Sequence, residues 1–431
     1  MTTSRAFRIC APLVAMLIAA APLSAEPIDF RRALELALKH SGAIMSATAD
    51  RARAAERYRA ERYSYVPTII FGSSAGYSVG NPVAIAGQAP SIYNVTHNQS
   101  VFNLALQQQL KALHSDSVAA DIEYVDSTEQ VILDTALLYI ELDSAQQRLE
   151  LARSQKQSVD HALFIAQQRL QEGVSELIDT KRAELDSARV DLRIADLESS
   201  VDVLRERLAR SIGVPPSSLE ILSGSIPAAP SIRDEDDLAS AALSNSASVR
   251  VADEHLRAAK ARARAEHRVN YPSFDFTGQY AEFAPYLNYG TTNHTNHNYS
   301  FGINLKIPIL NLAQNARAAA ADAEALHAEG EAQKVRDQVA DDAVRAQHQV
   351  RQLQAQLKVS RLEYEVAQAN IDAVKVQIQN GHATARDQEM ANADVAGRQL
   401  LLLQSQFDFL RAQLQLLRQT GELRSWALGT K

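Results

Sequence analysis

The sequence predicts a mainly α-helical chain with transmembrane β-strands, built from a duplicated helix, strand, strand, long helix, helix unit. Three observations predict this fold class. The 431 residues include only 16 Gly and 13 Pro, which leaves room for very long uninterrupted helices. The two halves repeat the same residues in the same order. Each half also carries two amphipathic segments about 10 residues long, which is the length of a strand in a transmembrane barrel.

Residues 1–25 are interpreted as a signal peptide, so we expect the mature chain to be exported. Arg5 and Arg8 precede an apolar run, and the small residue Ala25 stands just before the predicted mature start at Glu26. Cleavage removes Cys10, the only cysteine. The mature chain would then have no disulfide bond and no thiolate metal site.

The duplication divides the rest of the chain. The segment before Pro67 recurs before Pro272, and Asn103-Leu104-Ala105 recurs as Asn311-Leu312-Ala313. Two copies of roughly 200 residues are too few and too long for a solenoid. We assign residues 26–213 to the first structural repeat, 214–233 to a linker, 234–421 to the second repeat and 422–431 to a C-terminal tail.

Strands are predicted at about 67–79, 92–102, 273–283 and 298–308. In the third, Phe274 and Phe276 alternate with Asp275 and Thr277, so one face is apolar and the other polar. A transmembrane β-barrel and a soluble β-sandwich both produce this alternation. The strand pattern alone leaves the two open.

Long helices are predicted at about 103–172, 175–212, 311–379 and 382–420. No Gly or Pro occurs between Asn103 and Gln171, and a helix of about 70 residues spans roughly 100 Å. Apolar residues recur at alternating spacings of three and four, as in a coiled coil, with Lys156 as the exception. Helices with two such stripes can pack on both sides and close into a tube, although a solvated rod would show the same pattern.

Four amphipathic strands leave two free edges, and in lipid every backbone polar group must be paired. A membrane-spanning chain of this kind must therefore oligomerise. An eight-stranded barrel from two copies is filled by side chains, whereas a twelve-stranded barrel from three copies leaves a lumen. The same stoichiometry predicts a hollow extension of twelve helices.

The ordered set of motifs, present in duplicate, resembles the TolC-like outer-membrane efflux protein family, also called outer membrane factors. A Pro opens the first strand of each half, and Pro308 and Asn311 close the last strand. A Gly-x5-Asp element stands once in each half, as Gly173 to Asp179 and as Gly381 to Asp387. The resemblance implies a homotrimeric 12-stranded β-barrel continued by a periplasmic 12-helix α-barrel. The linker and tail would form a small equatorial region.

The resemblance also implies a function and a place for it. The chain would be a passive exit duct in the cell outer membrane, serving tripartite efflux or type I secretion. It would contact outer-membrane lipid and dock with a periplasmic adaptor (membrane fusion protein) and an inner-membrane pump. Gly173 and Gly381 would form the periplasmic tips where the adaptor docks, and Asp179, Asp387 and Glu389 would lie at the periplasmic aperture. Each Asp could equally be a first-turn carboxylate that stabilises its helix.

Other classes find less support in the sequence. Many relatives carry a second acidic residue at the position of Met390. The resemblance therefore does not imply a second ring of carboxylates at the aperture of this chain. His294 and His297 lack a carboxylate or thiolate companion, which favours a solvated loop over a metal site. We expect no cofactor and no enzymatic activity. The net charge of −7 argues against nucleic-acid binding. The alternative is a periplasmic coiled-coil structural or adaptor protein without a pore, and the exported substrate is not readable from the residues.

Overall fold

The computed structural model describes residues 27–73, 91–229, 238–283 and 297–429. The predicted signal peptide, residues 74–79 of the first predicted strand and His294 lie outside these ranges, as do the loop tips at 80–90 and 284–296. Within the described ranges the chain is mainly helical with one small antiparallel sheet.

The elements of the two halves follow the same order. The first half contains α1 (Phe30–His40), α2 (Gly42–Arg62), β1 (Thr68–Gly72), β2 (Ser91–Phe102), α3 (Leu104–Gln171) and α4 (Leu177–Ile212). The second contains α5 (Leu238–Asn245), α6 (Ala247–Arg268), β3 (Ser273–Phe283), β4 (His297–Lys306), α7 (Leu312–Gln379) and α8 (Ala385–Thr420), and α9 (Leu423–Leu428) follows. α3 and α7 have 68 residues each, which makes them about 100 Å long.

The repeated Asn residues start the two long helices. The side chain of Asn103 accepts a hydrogen bond from the Leu106 amide at 3.0 Å, and Asn311 accepts one from the Gln314 amide at 3.0 Å. Each side chain thereby satisfies one of the amides that a helix leaves unpaired in its first turn. The recurring Asn is a helix cap that marks the passage from strand to long helix.

The sheet has the order β1-β2-β3-β4, and every neighbouring pair is antiparallel. In the register, Phe276 lies opposite Ile303 and Phe274 opposite Leu305, so these apolar residues share one face. Asp275 lies opposite Asn304 on the other face. The period of two along each strand thus separates an apolar face from a polar one.

Close to the sheet, the helices form a layer in the order α2-α3-α6-α7. This order copies the strand order, because each helix directly precedes or follows the strand at the same position. Ion pairs join neighbours along the layer, including Arg51 with Asp121 at 2.5 Å and Lys260 with Glu329 at 3.3 Å. Surface pairs of this kind contribute little stability, but they record the antiparallel register of the helices.

Farther from the sheet, the long helices change neighbours. There the packing order is α4-α3-α8-α7, with α3 and α4 forming one hairpin and α7 and α8 the other. α3 and α7 run through both layers and connect them. None of the helices that the structure describes combines enough length with enough apolar character to span a bilayer.

The main hydrophobic core lies between the two layers, where α1, α9 and residues 219–226 pack against α3 and α4. Phe30 is fully buried and meets Tyr139 and Trp426 edge-on, with ring centroids 5.4 and 5.5 Å apart. Edge-on packing is a favoured arrangement for aromatic pairs. The core therefore holds residues from both ends of the chain against the middle of the first long helix.

Candidate functional site

The far ends of the two helical hairpins reverse direction through the same turn. At each, a Gly adopts a left-handed backbone, with φ 74° at Gly173 and φ 74° at Gly381. The amide of Val174 bonds to the Arg169 carbonyl at 2.9 Å, and that of His382 bonds to the Gln377 carbonyl at 2.8 Å. These are Schellman turns, which pair carbonyls that the helix end leaves free. A Cβ at either Gly would meet no atom within 4 Å, so backbone conformation alone demands Gly.

The two predicted aperture aspartates have different local environments. Asp387 forms a capping box with Thr384, in which its carboxylate accepts bonds from the Thr384 amide at 2.8 Å and hydroxyl at 2.7 Å. These bonds, the backbone one first, hold the pKa of Asp387 below its usual value. Asp179 stands in the first turn of α4, where the N-cap residue Glu176 makes no side-chain cap. Arg182 forms a long ion pair with it, at 3.9 Å.

Glu389 lies within the electrostatic range of charged residues of the neighbouring hairpin. Although the residue keeps an exposed surface, partial burial of its carboxyl raises the pKa, and the charges of Arg169 and His161 on α3 partly offset that rise. Met390 beside it is 64% exposed. Within the described residues, no ion pair or hydrogen bond joins Asp179, Asp387 and Glu389 to one another.

Contacts between α3 and α8 join the two hairpins, and no local sequence pattern predicts these contacts. Arg418 pairs with Asp126 at 3.2 Å and also donates to the side chain of Gln130. Seven residues before Arg418 in α8, and farther from the sheet, Arg411 pairs with Glu141 at 3.5 Å. The partners are hundreds of residues apart in the chain, so only the packed structure brings them together.

Each hairpin also has an internal polar network. In the first, Lys156 donates to Ser187 at 2.7 Å and to Asp191 at 2.8 Å, and pairs with Asp160 at 2.9 Å. The hydrogen bond to Asp191, followed by that to Asp160, raises the pKa of Lys156. The ammonium group of the lysine that interrupts the apolar stripe of α3 is therefore hydrogen-bonded by side chains of α4.

The second hairpin uses different residues for the same purpose. Arg398 of α8 pairs with Glu363 of α7 at 2.9 Å, and the hydroxyls of Ser360 and Ser405 lie 2.9 Å apart in a buried contact. The charge of Glu363 is the main cause of a raised pKa for Arg398. The two repeats thus share backbone architecture but hold their hairpins with different side chains.

The apolar face of the sheet is open to the surroundings. Phe71, Phe301 and Ile303 are 70%, 73% and 73% exposed. Pairs of aromatic rings occupy both ends of this face, with Tyr280 and Tyr299 4.9 Å apart at one end. Phe102 and Phe274, 5.9 Å apart, occupy the other. An exposed apolar surface of this kind marks an interaction site, and aromatic bands at both ends are typical of strands in a bilayer.

Polar residues interrupt this face on β2, at His97 and Gln99. The Gln99 amide donates to the carbonyl of Tyr65 at 3.0 Å, and the His97 ring packs edge-on against Phe276 at 5.3 Å. Gly278 lies opposite both His97 and Phe301 in the register. A Cβ on Gly278 would come within 3.0 Å of the Phe301 ring, so the glycine makes room for that ring.

A cavity of about 830 Å³ lies against the helix layer next to the sheet. Residues of α2, α3, α6 and α7 all line it. Because α2 and α7 are the outer members of this layer, they can share a cavity only on its concave side. The lining combines many Ala side chains with the carboxylates of Asp50, Glu123 and Glu331 and the rings of His255 and His327. In the part of the chain that the structure describes, no three His, Cys, Asp or Glu side chains cluster as a metal site would require.

The comparisons with known proteins agree in one family. The sequence profile of the family described as outer membrane efflux protein matches residues 33–214 and 238–422. The outer membrane protein TolC of Vibrio cholerae is 27% identical over 172 residues. That match covers 38% of this chain and 38% of TolC, so it spans well under two thirds of the relative's length.

Solved structures of low identity share the fold. A membrane protein from Pseudomonas aeruginosa superimposes with a TM-score of 0.76 at 16% identity, over 97% of this chain and 99% of the other. The outer membrane protein VceC from Vibrio cholerae gives 0.75 at 17%, over 91% and 96%. The open MtrE outer membrane channel of Neisseria gonorrhoeae gives 0.71 at 17%, over 93% and 89%. Since the family profile matches both repeats and most of the sequence, this chain belongs to the outer membrane efflux protein family.

Proposed function

We propose that this chain is the outer-membrane exit duct of a tripartite efflux or type I secretion system and acts as a passive, non-enzymatic channel. The observation that carries the proposal is the four-stranded sheet. Its apolar face is exposed, and within the described residues β1 and β4 each pair on one side only. An apolar sheet with two open edges is stable in lipid only when further copies close it.

The edge helices support closure by identical copies. α7 lies at one edge of both helix layers, and α2 and then α4 lie at the other. Large apolar side chains remain exposed along these edges in the single chain. They include Leu177, Leu185 and Leu192 on α4 and Val359, Leu362, Val366 and Val376 on α7. α7 of one copy would bury its stripe against α4 of the next.

Three copies give the closed form that best accounts for these features. Twelve strands leave a lumen, whereas eight are filled by side chains. The concave side of each helix layer, with its acidic cavity, would then face the lumen. Carboxylates around a water-filled passage favour cations over anions.

The hairpin tips would lie farthest from the outer membrane, in the periplasm. Gly173 and Gly381 would present the two turns to a periplasmic adaptor, and the inner-membrane pump would supply the energy. Asp179, Asp387 and Glu389 would line the aperture at this end. The residues that precede Glu26 would be removed as a signal peptide during export.

The decisive experiment is extraction and reconstitution of the full-length protein. We expect it to fractionate with outer membranes, to run as a trimer in detergent and to conduct ions in planar bilayers. A protein that stays soluble without detergent and conducts no current would contradict the duct function. That result would favour the alternative, a periplasmic coiled-coil or adaptor protein without a pore.

A pair of neighbouring substitutions on β4 tests the membrane assignment itself. Ile303 lies on the apolar face and Asn304 on the polar face. Ile303→Asp should reduce assembly into the outer membrane strongly, because charged groups on a lipid-facing strand are destabilising. Asn304→Asp should assemble normally and conduct. Equal assembly of both variants would contradict a lipid-facing position for Ile303.

A further inference from the structure

The neighbouring helices α3 and α6 carry three cationic side chains at the end of the helix layer nearest the sheet. Arg268 is the last residue of α6, and Arg264 stands one turn before it. Lys111 lies two turns into α3. The ion pair between Asp116 of α3 and Arg262 of α6 records the register of the two helices. This register places Lys111 level with Arg264 and Arg268, and we call these three residues the basic groove.

The basic groove lies on the side of the layer opposite the cavity. His255 of α6 and Ala120 of α3 both line the cavity on the concave side. Arg264 follows His255 by nine residues, and Lys111 precedes Ala120 by nine. Nine residues of α-helix amount to two and a half turns. Both cations therefore point away from the cavity, to the convex side, and Arg268 lies one turn beyond Arg264.

The charges of the basic groove have no acidic partner within the described residues. Neighbouring cations do have one, since Arg257 pairs with Glu254 at 2.5 Å and Lys260 pairs with Glu329. His267, between the two arginines, lies 2.9 Å from Asp322 and leans toward α7. Lys111 and Arg264 are exposed and Arg268 is half-buried. Three positive charges thus stand together and are open to an anion.

Apolar side chains separate the basic groove from the strands. Val269 and Tyr271 follow Arg268 directly and are 38% and 56% exposed. Phe102, at the end of β2, packs against Phe274 at the start of β3. A ligand held here would meet cations at one end and an apolar face at the other. That sequence of surfaces matches an amphipathic molecule with an anionic head.

We propose that the basic groove binds the headgroup of an anionic phospholipid from the periplasmic leaflet of the membrane. The proposal rests on the proposed function, because the apolar face must lie in lipid. One arginine guanidinium can donate two parallel hydrogen bonds to two oxygens of a phosphate group, and a lysine ammonium attracts the phosphate as a point charge. The acyl chains would then lie along the apolar face of the sheet. Each Lys or Arg beside an anionic lipid surface adds appreciably to the attraction between the protein and the lipid.

Native mass spectrometry of the purified full-length protein in detergent tests this site. The probes are phosphatidylglycerol, which is anionic, and phosphatidylethanolamine, which is zwitterionic. The test variant replaces all three residues of the basic groove with Gln. The control variant, Arg345→Gln with Lys358→Gln and Arg361→Gln, removes the same charge from α7 far from the sheet. We expect the test variant to lose about tenfold or more in phosphatidylglycerol affinity. The control and phosphatidylethanolamine binding should not change.

Planar-bilayer conductance of the same preparations separates this proposal from the duct function. If wild type conducts but the test variant binds phosphatidylglycerol as tightly as wild type does, the headgroup site is wrong and the duct stands. An equal loss in the control variant, or displacement of the lipid by millimolar inorganic phosphate, would also overturn the site. Absence of current from wild type would refute the duct itself.

Discussion

Replacing Tyr139 with Phe should loosen the segment 219–226 without disturbing the rest of the core. Tyr139 is fully buried, and its hydroxyl lies 2.8 Å from the Ser225 hydroxyl. It also lies 3.0 Å from the Ile28 carbonyl and 3.1 Å from the Leu222 carbonyl. These contacts fasten the linker and the start of the first repeat onto α3.

The structure indicates a modest cost for this change. The Ile28 carbonyl also accepts from the Leu222 amide at 3.2 Å, and the Leu222 carbonyl from the Ser225 amide at 3.2 Å. Both carbonyls therefore stay paired when the phenol is lost. Ser225 keeps a bond from the Phe30 amide at 3.1 Å. The loss should be that of one net hydrogen bond, about 1 kcal/mol. Tyr139→Ala also removes the ring from the core and should cost about 3–5 kcal/mol.

Hydrogen exchange followed by mass spectrometry is a suitable assay, because it measures local opening without requiring reversible unfolding. A loss of about 1 kcal/mol should speed exchange in residues 219–226 roughly fivefold. Tyr364→Phe is the matched control, since within the described ranges the Tyr364 hydroxyl accepts a single, exposed bond, from Gln368 at 2.7 Å. Exchange in Tyr139→Phe no faster than in the control would refute the reasoning. So would a cost as large as that of Tyr139→Ala.

Three further predictions concern the hairpins. Gly381→Ala should lower thermal stability by about 1–2 kcal/mol, because Ala is strained at a positive φ. Gly397→Ala, inside α8, should be neutral or stabilising, and equal melting of the two variants would contradict the turn argument. Lys156→Gln should destabilise the first hairpin near neutral pH. The pKa of Lys156 is higher in the folded chain than the ordinary lysine pKa, so its protonated form stabilises the fold. This stabilisation is fully present below the ordinary lysine pKa and is lost as pH rises through the pKa of the folded state. The difference in melting point from wild type should therefore shrink at strongly alkaline pH, and a constant difference would exclude an ionic cause. Asp387→Ala should reduce the cation preference of the channel, whereas Thr384→Ala breaks the same capping box but keeps the charge. Equal ion selectivity in both variants would assign Asp387 to helix capping alone.

Local patterns in the sequence predict much of the fold. The scarcity of breakers predicts the long helices, and strict alternation in β3 predicts one apolar and one polar face. The repeated Asn103 and Asn311 carry a helix-capping signal that acts over three residues. Thr384 stands three residues before Asp387, which is the sequence signature of the capping box that the structure contains. These features depend on neighbours in the chain, so sequence reasoning can reach them.

The candidate site is only partly accessible in this way. The Gly-x5-Asp element identifies both hairpin turns, yet it does not separate Asp387, which is bonded to Thr384, from Asp179, which is not capped by Glu176. Glu389 next to α3 could not be anticipated, because its surroundings belong to the other hairpin. The cavity likewise needs four helices at once.

The sequence by itself determined the duplication, the helix lengths, the turn glycines and the amphipathic strands, because each follows from spacing along one segment. Tertiary structure alone decided that α3 has α2 and α6 as neighbours near the sheet and α4 and α8 farther away. Helical periodicity shows which residues share a face, but apolar burial is non-directional and does not specify which helix will cover that face. The pairing of Arg418 with Asp126, the concave cavity and the basic groove all depend on that choice of neighbours.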